Sequence, residues 1–293
     1  MLHTGTSIKL TSASQLASTV SEDLASLKTA ALTEKPYALE SRVLVLYTGG
    51  TIGMKCIDGV YCPEQYYLPR AIRELPPLND KEYIMAHYGD AKVKPYCLPP
   101  IRHMKKRIVY WVVEYEPLLD SSDMTYDDWI RIGKDIRKAY EQYDGFVVLH
   151  GTDTLAYTAC ALSFMLENLG KPVIITGAQI PVCEVRSDGR ENLIGALIIA
   201  GNFDIPEVTV FFNNKLLRGN RSTKLDNSAL EAFDSPNMAP IAQMEITIKG
   251  NMSSRRTDII EEIKHAVERG CIVVNCSQCV RGQVDVHYFT GKV

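Results

Sequence analysis

Residues Val43–Gly53 read Val-Leu-Val-Leu-Tyr-Thr-Gly-Gly-Thr-Ile-Gly, and no other stretch limits what this chain can fold into as much. Four consecutive large aliphatic residues make a strand buried on both faces, which belongs to a sheet covered on both sides. The strand runs straight into two adjacent glycines, Gly49 and Gly50, flanked by Thr48 and Thr51. Glycine reaches positive φ at little cost and lets a ligand approach the backbone, so both threonine hydroxyls can be aimed into a crevice at the strand's carboxyl end. A tight strand-to-helix turn without chemistry uses the same residues. The stretch is not a P-loop, because no Gly-Lys-Ser/Thr follows, and it is not the dinucleotide fingerprint.

The arrangement recurs along the chain. Met54–Pro69, with Gly59, Tyr61, Pro63, Tyr66 and Tyr67, reads as a polar, aromatic loop able to close over a site. A strand over Ile108–Val113 leads to Asp120–Asp123, N-cap chemistry ahead of a helical pattern of Trp129, Ile132, Ile136, Ala139 and Tyr143; a helix start also offers free N–H groups to a carboxylate. A strand over Gly145–His150 is followed by Gly-Thr-Asp-Thr at Gly151–Thr154 and a helix over Leu155–Leu169 stopped by Gly170, with Thr152 or Asp153 as its cap. Val173–Thr176 is a strand, Gly177–Arg186 a loop, Asp188 the cap of a helix over Arg190–Ala200, and Glu207–Phe212 a strand again. Leu217–Lys224 is a polar loop carrying Arg218, Arg221 and Lys224. A lysine beside an aspartate in a dry site can share a proton with it and raise the reactivity of a neighbouring hydroxyl. Asp258–Glu268 reads as a helix and Cys271–Asn275 as a last strand. Strands alternating with helices at this rhythm predict an α/β fold with a mostly parallel, mixed sheet flanked by helices and with ligands at the strands' carboxyl ends.

Composition excludes several classes of function. With 293 residues, a net charge of -3 and no long block of like charge, the chain has no surface suited to nucleic acid or acidic lipid. No apolar run approaches the roughly 18 residues that span a bilayer. The eight cysteines are scattered singly apart from Cys276 and Cys279, which lack the second ligand pair of a zinc site; the pattern suits reduced thiols in the cytoplasm. Residues 1–40 read as a mobile tail without the shape of a signal peptide.

Thr-Gly-Gly-Thr-Ile-Gly at Thr48–Gly53 and His-Gly-Thr-Asp-Thr at His150–Thr154 resemble the two signature motifs of the bacterial-type L-asparaginase family. Asp120–Thr125, Leu162–Asn168, Thr176–Pro181, Ser187–Asn192 and Arg218–Lys224 resemble its cytosolic type I branch and the asparaginase domain of animal homologues. The resemblance covers Ser41–Pro240 in the family's order. It implies an L-asparagine amidohydrolase in which Thr51 is the nucleophile, Tyr61 assists it from a mobile loop, and Thr152, Asp153 and Lys224 form an activating cluster. It also implies a pocket of Asp120, Ser121 and Ser122 for the substrate's ammonium and carboxylate, with Asp153 facing the ammonium. The chemistry is coherent: a threonine hydroxyl needs a base, the oxyanion needs N–H donors, and carboxylates suit an ammonium group. No metal or organic cofactor is implied, and the partners implied are asparagine and further copies of the chain, as homodimer or homotetramer.

The match breaks after Ile246-Thr-Ile-Lys249. There the family continues into a smaller C-terminal α/β domain that opens with a strand–helix–strand stretch, whereas here Gly250-Asn251 and the Asp258 helix follow directly. A βαβ unit takes about 30 residues or more, and the family's last helices are also missing. The expected organisation is therefore a tail (1–40), an N-terminal asparaginase domain (41–240), and a linker with an incomplete C-terminal α/β domain (241–293). Besides the amidohydrolase, this leaves a non-catalytic truncated isoform that retains amino-acid binding or modulates full-length subunits. Hydrolysis of a lysophospholipid ester is disfavoured by the polar, charge-matched pocket and the absence of a Gly-x-Ser-x-Gly elbow.

Overall fold

The computed structural model describes residues 39–102, 104, 106–245 and the backbone of 248–250. The helix expected over Asp258–Glu268, the strand over Cys271–Asn275, the Cys276–Cys279 pair and nearly all of the tail lie outside the described residues. In chain order the elements are β1 (Glu40–Gly49), a 3-10 turn (Thr51–Gly53), β2 (Lys55–Ile57), β3 (Val60–Cys62), α1 (Tyr67–Glu74), α2 (Lys81–Tyr88), β4 (Tyr96–Cys97) and β5 (Arg107–Leu119). A second 3-10 turn (Ser121–Asp123), α3 (Tyr126–Ala139), β6 (Gly145–Leu149), α4 (Leu155–Met165), β7 (Val173–Thr176), α5 (Asp188–Asn202) and β8 (Val208–Phe212) follow. Then come β9 (Lys215–Arg218), a third 3-10 turn (Gly219–Arg221), β10 (Thr223–Lys224), β11 (Phe233–Asp234), β12 (Ala242–Met244) and β13 (Ile248–Gly250).

The main sheet has the order β13-β12-β9-β8-β7-β6-β1-β5-β4. β5, β1, β6, β7 and β8 run parallel, and β4, β9, β12 and β13 are antiparallel additions at the two edges. The centre is parallel, as the alternation of strands and helices predicts, and the edge strands make the sheet mixed. From β1 the chain passes to β5 on one side and then to β6 on the other, so the carboxyl end of β1 is a topological switch point, the usual ligand crevice of open α/β sheets.

Pleating divides the strand residues between two cores. Leu44 and Leu46 pack with Val109, Trp111, Phe146 and Val148 under α3 and α4. Val43, Val45 and Tyr47 pack with Tyr110, Val147 and Leu149 under α1 and α5. Gly145 marks where α5 comes closest, since a Cβ there would lie 2.3 Å from the Ala200 carbonyl oxygen.

Several local expectations are corrected. α3 is capped not by Asp120–Asp123 but by Thr125, in a capping box with Asp128, because the Asp120 side chain already closes its own 3-10 turn. α4 ends at Met165 rather than Leu169; the chain unwinds through Leu166 and a left-handed Asn168, and both Leu166 and Leu169 pack against the core. Its N-cap is Thr154, not Thr152 or Asp153. Ser187 caps α5, while Asp188 instead accepts the N–H groups of Gln179 and Ile180 and ties down the loop after β7. The stretch expected to be an irregular loop forms a hairpin, β2–β3, turned by Asp58 and Gly59 at φ 51° and 81°. Two successive left-handed residues are what a two-residue hairpin turn requires, and Asp-Gly supplies them.

Leu44 is fully buried at the centre of the sheet. Leu44→Ala is expected to lower the unfolding free energy by about 2–5 kcal/mol, measured by urea denaturation followed by far-UV circular dichroism.

Candidate active site

Three loops leave the carboxyl ends of β5, β1 and β6, and glycine lets them interlock. Gly49 and Gly50 take φ of 138° and 90°, the positive values that the sequence predicts. A Cβ on Gly49 would fall 2.1 Å from the Leu119 carbonyl oxygen, and one on Gly50 would fall 2.5 Å from Gly151 N and Cα. A Cβ on Gly151 would in turn meet Ser121 Oγ at 2.4 Å. These are closer than side chains tolerate, so the residue before Thr51, the residue before Thr152 and Ser121 share one contact. Thr51, Ser121 and Thr152 are thereby gathered from strands far apart in sequence.

Thr51 opens its 3-10 turn half-buried, and among the described residues no hydrogen bond engages its hydroxyl. Thr48 differs: its hydroxyl is buried and donates to the Leu149 carbonyl at 3.0 Å, joining β1 to β6 rather than entering the crevice. Lys224, on the β10–β11 hairpin, donates to Thr152 Oγ1 and to Asp153 Oδ1, each at 2.9 Å. The expected hydroxyl–carboxylate–ammonium cluster is therefore assembled across 72 residues of chain. With an ammonium group on its oxygen, Thr152 turns its own hydroxyl proton away from Lys224 and keeps a donor for another partner. Asp120 Oδ1 accepts the N–H and hydroxyl of Ser122, both at 2.9 Å, and Ser121 lies buried with its carbonyl accepting the Thr154 hydroxyl at 2.7 Å. Tyr61 is exposed on the β2–β3 hairpin. Desolvation, with the neighbouring Glu184 and Cys56, raises its pKa. Among the described residues, no group of three or more His, Cys, Asp or Glu side chains converges as metal ligands do.

Sequence reading assigned no role to His150, which sits under the Gly151–Thr154 loop and is fully buried. Its Nδ1 is 2.7 Å from the Gly151 carbonyl oxygen, which can only accept, so Nδ1 carries the proton. Nε2 then accepts from the Thr158 hydroxyl at 2.8 Å, and Thr158 Oγ1 accepts from Trp129 Nε1 at 2.8 Å. The chain of donors runs from α3 through α4 to the loop. Thr158, a polar residue inside the apolar run of α4, was the one sequence signal for it. Burial lowers the His150 pKa from 6.5 to about 4, against weaker opposing effects of Gly151 and Asp128. A buried imidazole with a depressed pKa favours folding above its unfolded pKa, and that contribution is lost as pH falls toward 4. Between pH 7 and pH 5 the wild type is expected to lose about 2 kcal/mol more stability than His150→Asn, whose amide keeps a donor near Gly151 but does not titrate. Urea denaturation at both pH values measures the difference.

A family model described as "Asparaginase, N-terminal" matches residues 42–256. The chain is 60% identical to an L-asparaginase of Dirofilaria immitis, over 87% of this chain and 53% of that protein. It is 39% identical to the 60 kDa lysophospholipase of Mus musculus, over 86% of this chain and 54% of that protein. Among solved structures, L-asparaginase I from Vibrio cholerae is 36% identical and superposes with a TM-score of 0.59, covering 84% of each chain. The chain spans about half the length of these two curated relatives. With the family model over most of its length and the motif residues gathered at one switch point, this chain belongs to the asparaginase family.

Proposed function

We propose that the chain hydrolyses the side-chain amide of L-asparagine to L-aspartate and ammonia through an ester on Thr51. The observation that carries this reading is the Lys224–Thr152–Asp153 cluster, held beside the Thr51 turn by the Gly50–Gly151 contact. Thr51 Oγ attacks the amide carbon as its proton passes to Thr152 Oγ1, and the hydroxyl proton of Thr152 goes to the departing nitrogen. Ammonia leaves and the acyl group remains as an ester. Water then adds to that ester, its proton returns to Thr51, and aspartate is released. Lys224 lowers the cost of negative charge on Thr152 during the transfer. Asp120 and Asp153 suit the substrate's ammonium, and the second 3-10 turn with Ser121 and Ser122 suits its carboxylate.

The similarity to a protein called a lysophospholipase raises a second substrate class. The charged cluster and small serines at the strand ends favour an amino acid over an acyl chain. The assembled cluster favours the amidohydrolase over a non-catalytic isoform. The alignment with the nematode relative runs over 311 residues while taking in only 87% of this 293-residue chain, so that relative carries residues inside the aligned span with no counterpart here. This supports an internal loss, which we assign to the C-terminal part beyond Lys249.

A cytoplasmic setting is supported by Cys56, Cys62, Cys97, Cys160 and Cys183, which are all free. Among the described residues no helix is long and apolar enough to cross a membrane. Self-association is supported by the outer face of α3 and α4, where Tyr126, Tyr157 and Phe164 are 70%, 66% and 70% exposed. Large apolar side chains left this exposed on neighbouring helices are candidates for a contact surface.

Purified protein is expected to release ammonia from L-asparagine and to leave lysophosphatidylcholine intact. Thr51→Ala should abolish release, and Lys224→Met should lower kcat by about 10²–10⁴-fold; release by Thr51→Ala equal to wild type would overturn the assignment. Phe164→Glu is expected to shift the protein toward monomer in sedimentation velocity, and an unchanged distribution would remove α4 from the interface.

A further inference from the structure

The tip of the hairpin that carries Tyr61 is open to solvent. Ile57 and Val60 are 44% and 62% exposed, and a Cβ on Gly59 would meet nothing within 4 Å. On one side the hairpin continues directly from the Thr51–Gly53 turn. On the other side two bonds fix it to β5: Tyr66 N–H donates to Glu114 Oε1 at 2.6 Å, and Gln65 Nε2 donates to the Tyr115 carbonyl at 2.9 Å. Between them the chain turns sharply, with Tyr66 left-handed at φ 61°.

These two bonds differ from the rest of the base. Lys55–Glu64 at 3.0 Å and Arg70–Glu64 at 2.8 Å join side chains largely open to water, where such pairs hold little. Glu114 is 8% exposed, and its second oxygen is buried without a partner among the described residues. A buried carboxylate left with one N–H is a poor choice for stability alone. It does fix one backbone position, because the bond is short and its acceptor oxygen is held by a packed strand. Glu114 also lies in register beside Tyr47 on β1, three residues before Gly50. The strand pair that sets the Thr51 loop therefore sets the hairpin as well.

We propose that Glu114, supported by Gln65, is a positioning residue that fixes the pose of the Tyr61 hairpin relative to Thr51. The role of Tyr61 in this inference rests on the asparaginase reading above. Hydrogen–deuterium exchange of the 293-residue protein tests the pivot without activity. Glu114→Ala should speed exchange across residues 55–66 by about tenfold or more and leave β1 and β6 unchanged, and Glu114→Gln, which keeps the acceptor, should restore wild-type rates. If Glu114→Ala loosens β1 and β6 as well, Gln65→Ala decides by the same measure. Ammonia release supplies the second readout: Glu114→Ala should lower kcat by about tenfold with Glu114→Gln near wild type, and the loss should vanish in a Tyr61→Ala background. Unchanged exchange over 55–66, or the same kcat loss with and without Tyr61, overturns the proposal. A wild type that releases no ammonia sinks the asparaginase reading instead, and the exchange comparison then decides the pivot alone.

Discussion

The backbones of Gly50 and Gly151 lie against each other at the carboxyl ends of β1 and β6, closer than any side chain would allow. Each is the residue before a threonine, so this contact sets the separation of Thr51 and Thr152. Ser121 closes on Gly151 from the side of β5, and Gly49 lies against Leu119 on the same strand. Parallel strands deliver the three loops to one edge, but pairing alone would leave them a side chain's width apart. The glycines remove that width. They matter here as close contacts more than as flexible residues, and only Gly49 and Gly50 also need positive φ.

Two different kinds of interaction then orient what the glycines bring together. The Lys224 ammonium reaches Thr152 and Asp153 from a separate two-stranded hairpin, a charged contact in a partly open setting. Beneath the loop, the Trp129–Thr158–His150–Gly151 series of hydrogen bonds has one direction and is fully buried from Thr158 inward. A neutral imidazole is the only form that fits it without adding a buried charge, which accounts for the depressed pKa. The exposed face of the site is adjustable and the buried face is not. That division suits a site whose substrate enters from solvent while its nucleophile must not move.

Much of this was legible in the residues. The apolar run Val43–Leu46 is continuous because both its faces meet core, and Val173–Ile175 is so for the same reason. The motifs that resemble the family fall where strands end, and Lys224 does reach Thr152 and Asp153. Helix caps were harder to read, because Asp120, Thr152 and Asp153 have capping chemistry but are engaged elsewhere, leaving the ends to Thr125 and Thr154. The Met54–Pro69 stretch carried a hairpin signal in Asp58-Gly59, yet its prolines and tyrosines read as loop. Glu114 gave no signal, since a carboxylate at the end of an apolar strand reads as solvated until the partner segment is placed over it.

The sequence by itself determined that the chain is an α/β protein, which of its strands are buried on both faces, and where the glycine-rich loops stand on them. These properties follow from local pattern: periodicity, turn residues and the short motifs at strand ends. Only the tertiary structure decided which loops touch, that Thr48 is spent on the Leu149 carbonyl while Thr51 is not, that His150 is neutral, and that Tyr61 stands on a hairpin pinned by Glu114. Each of those depends on groups brought together from distant strands. A hydroxyl, an imidazole or a carboxylate takes its role from the donor or acceptor that packing sets opposite it.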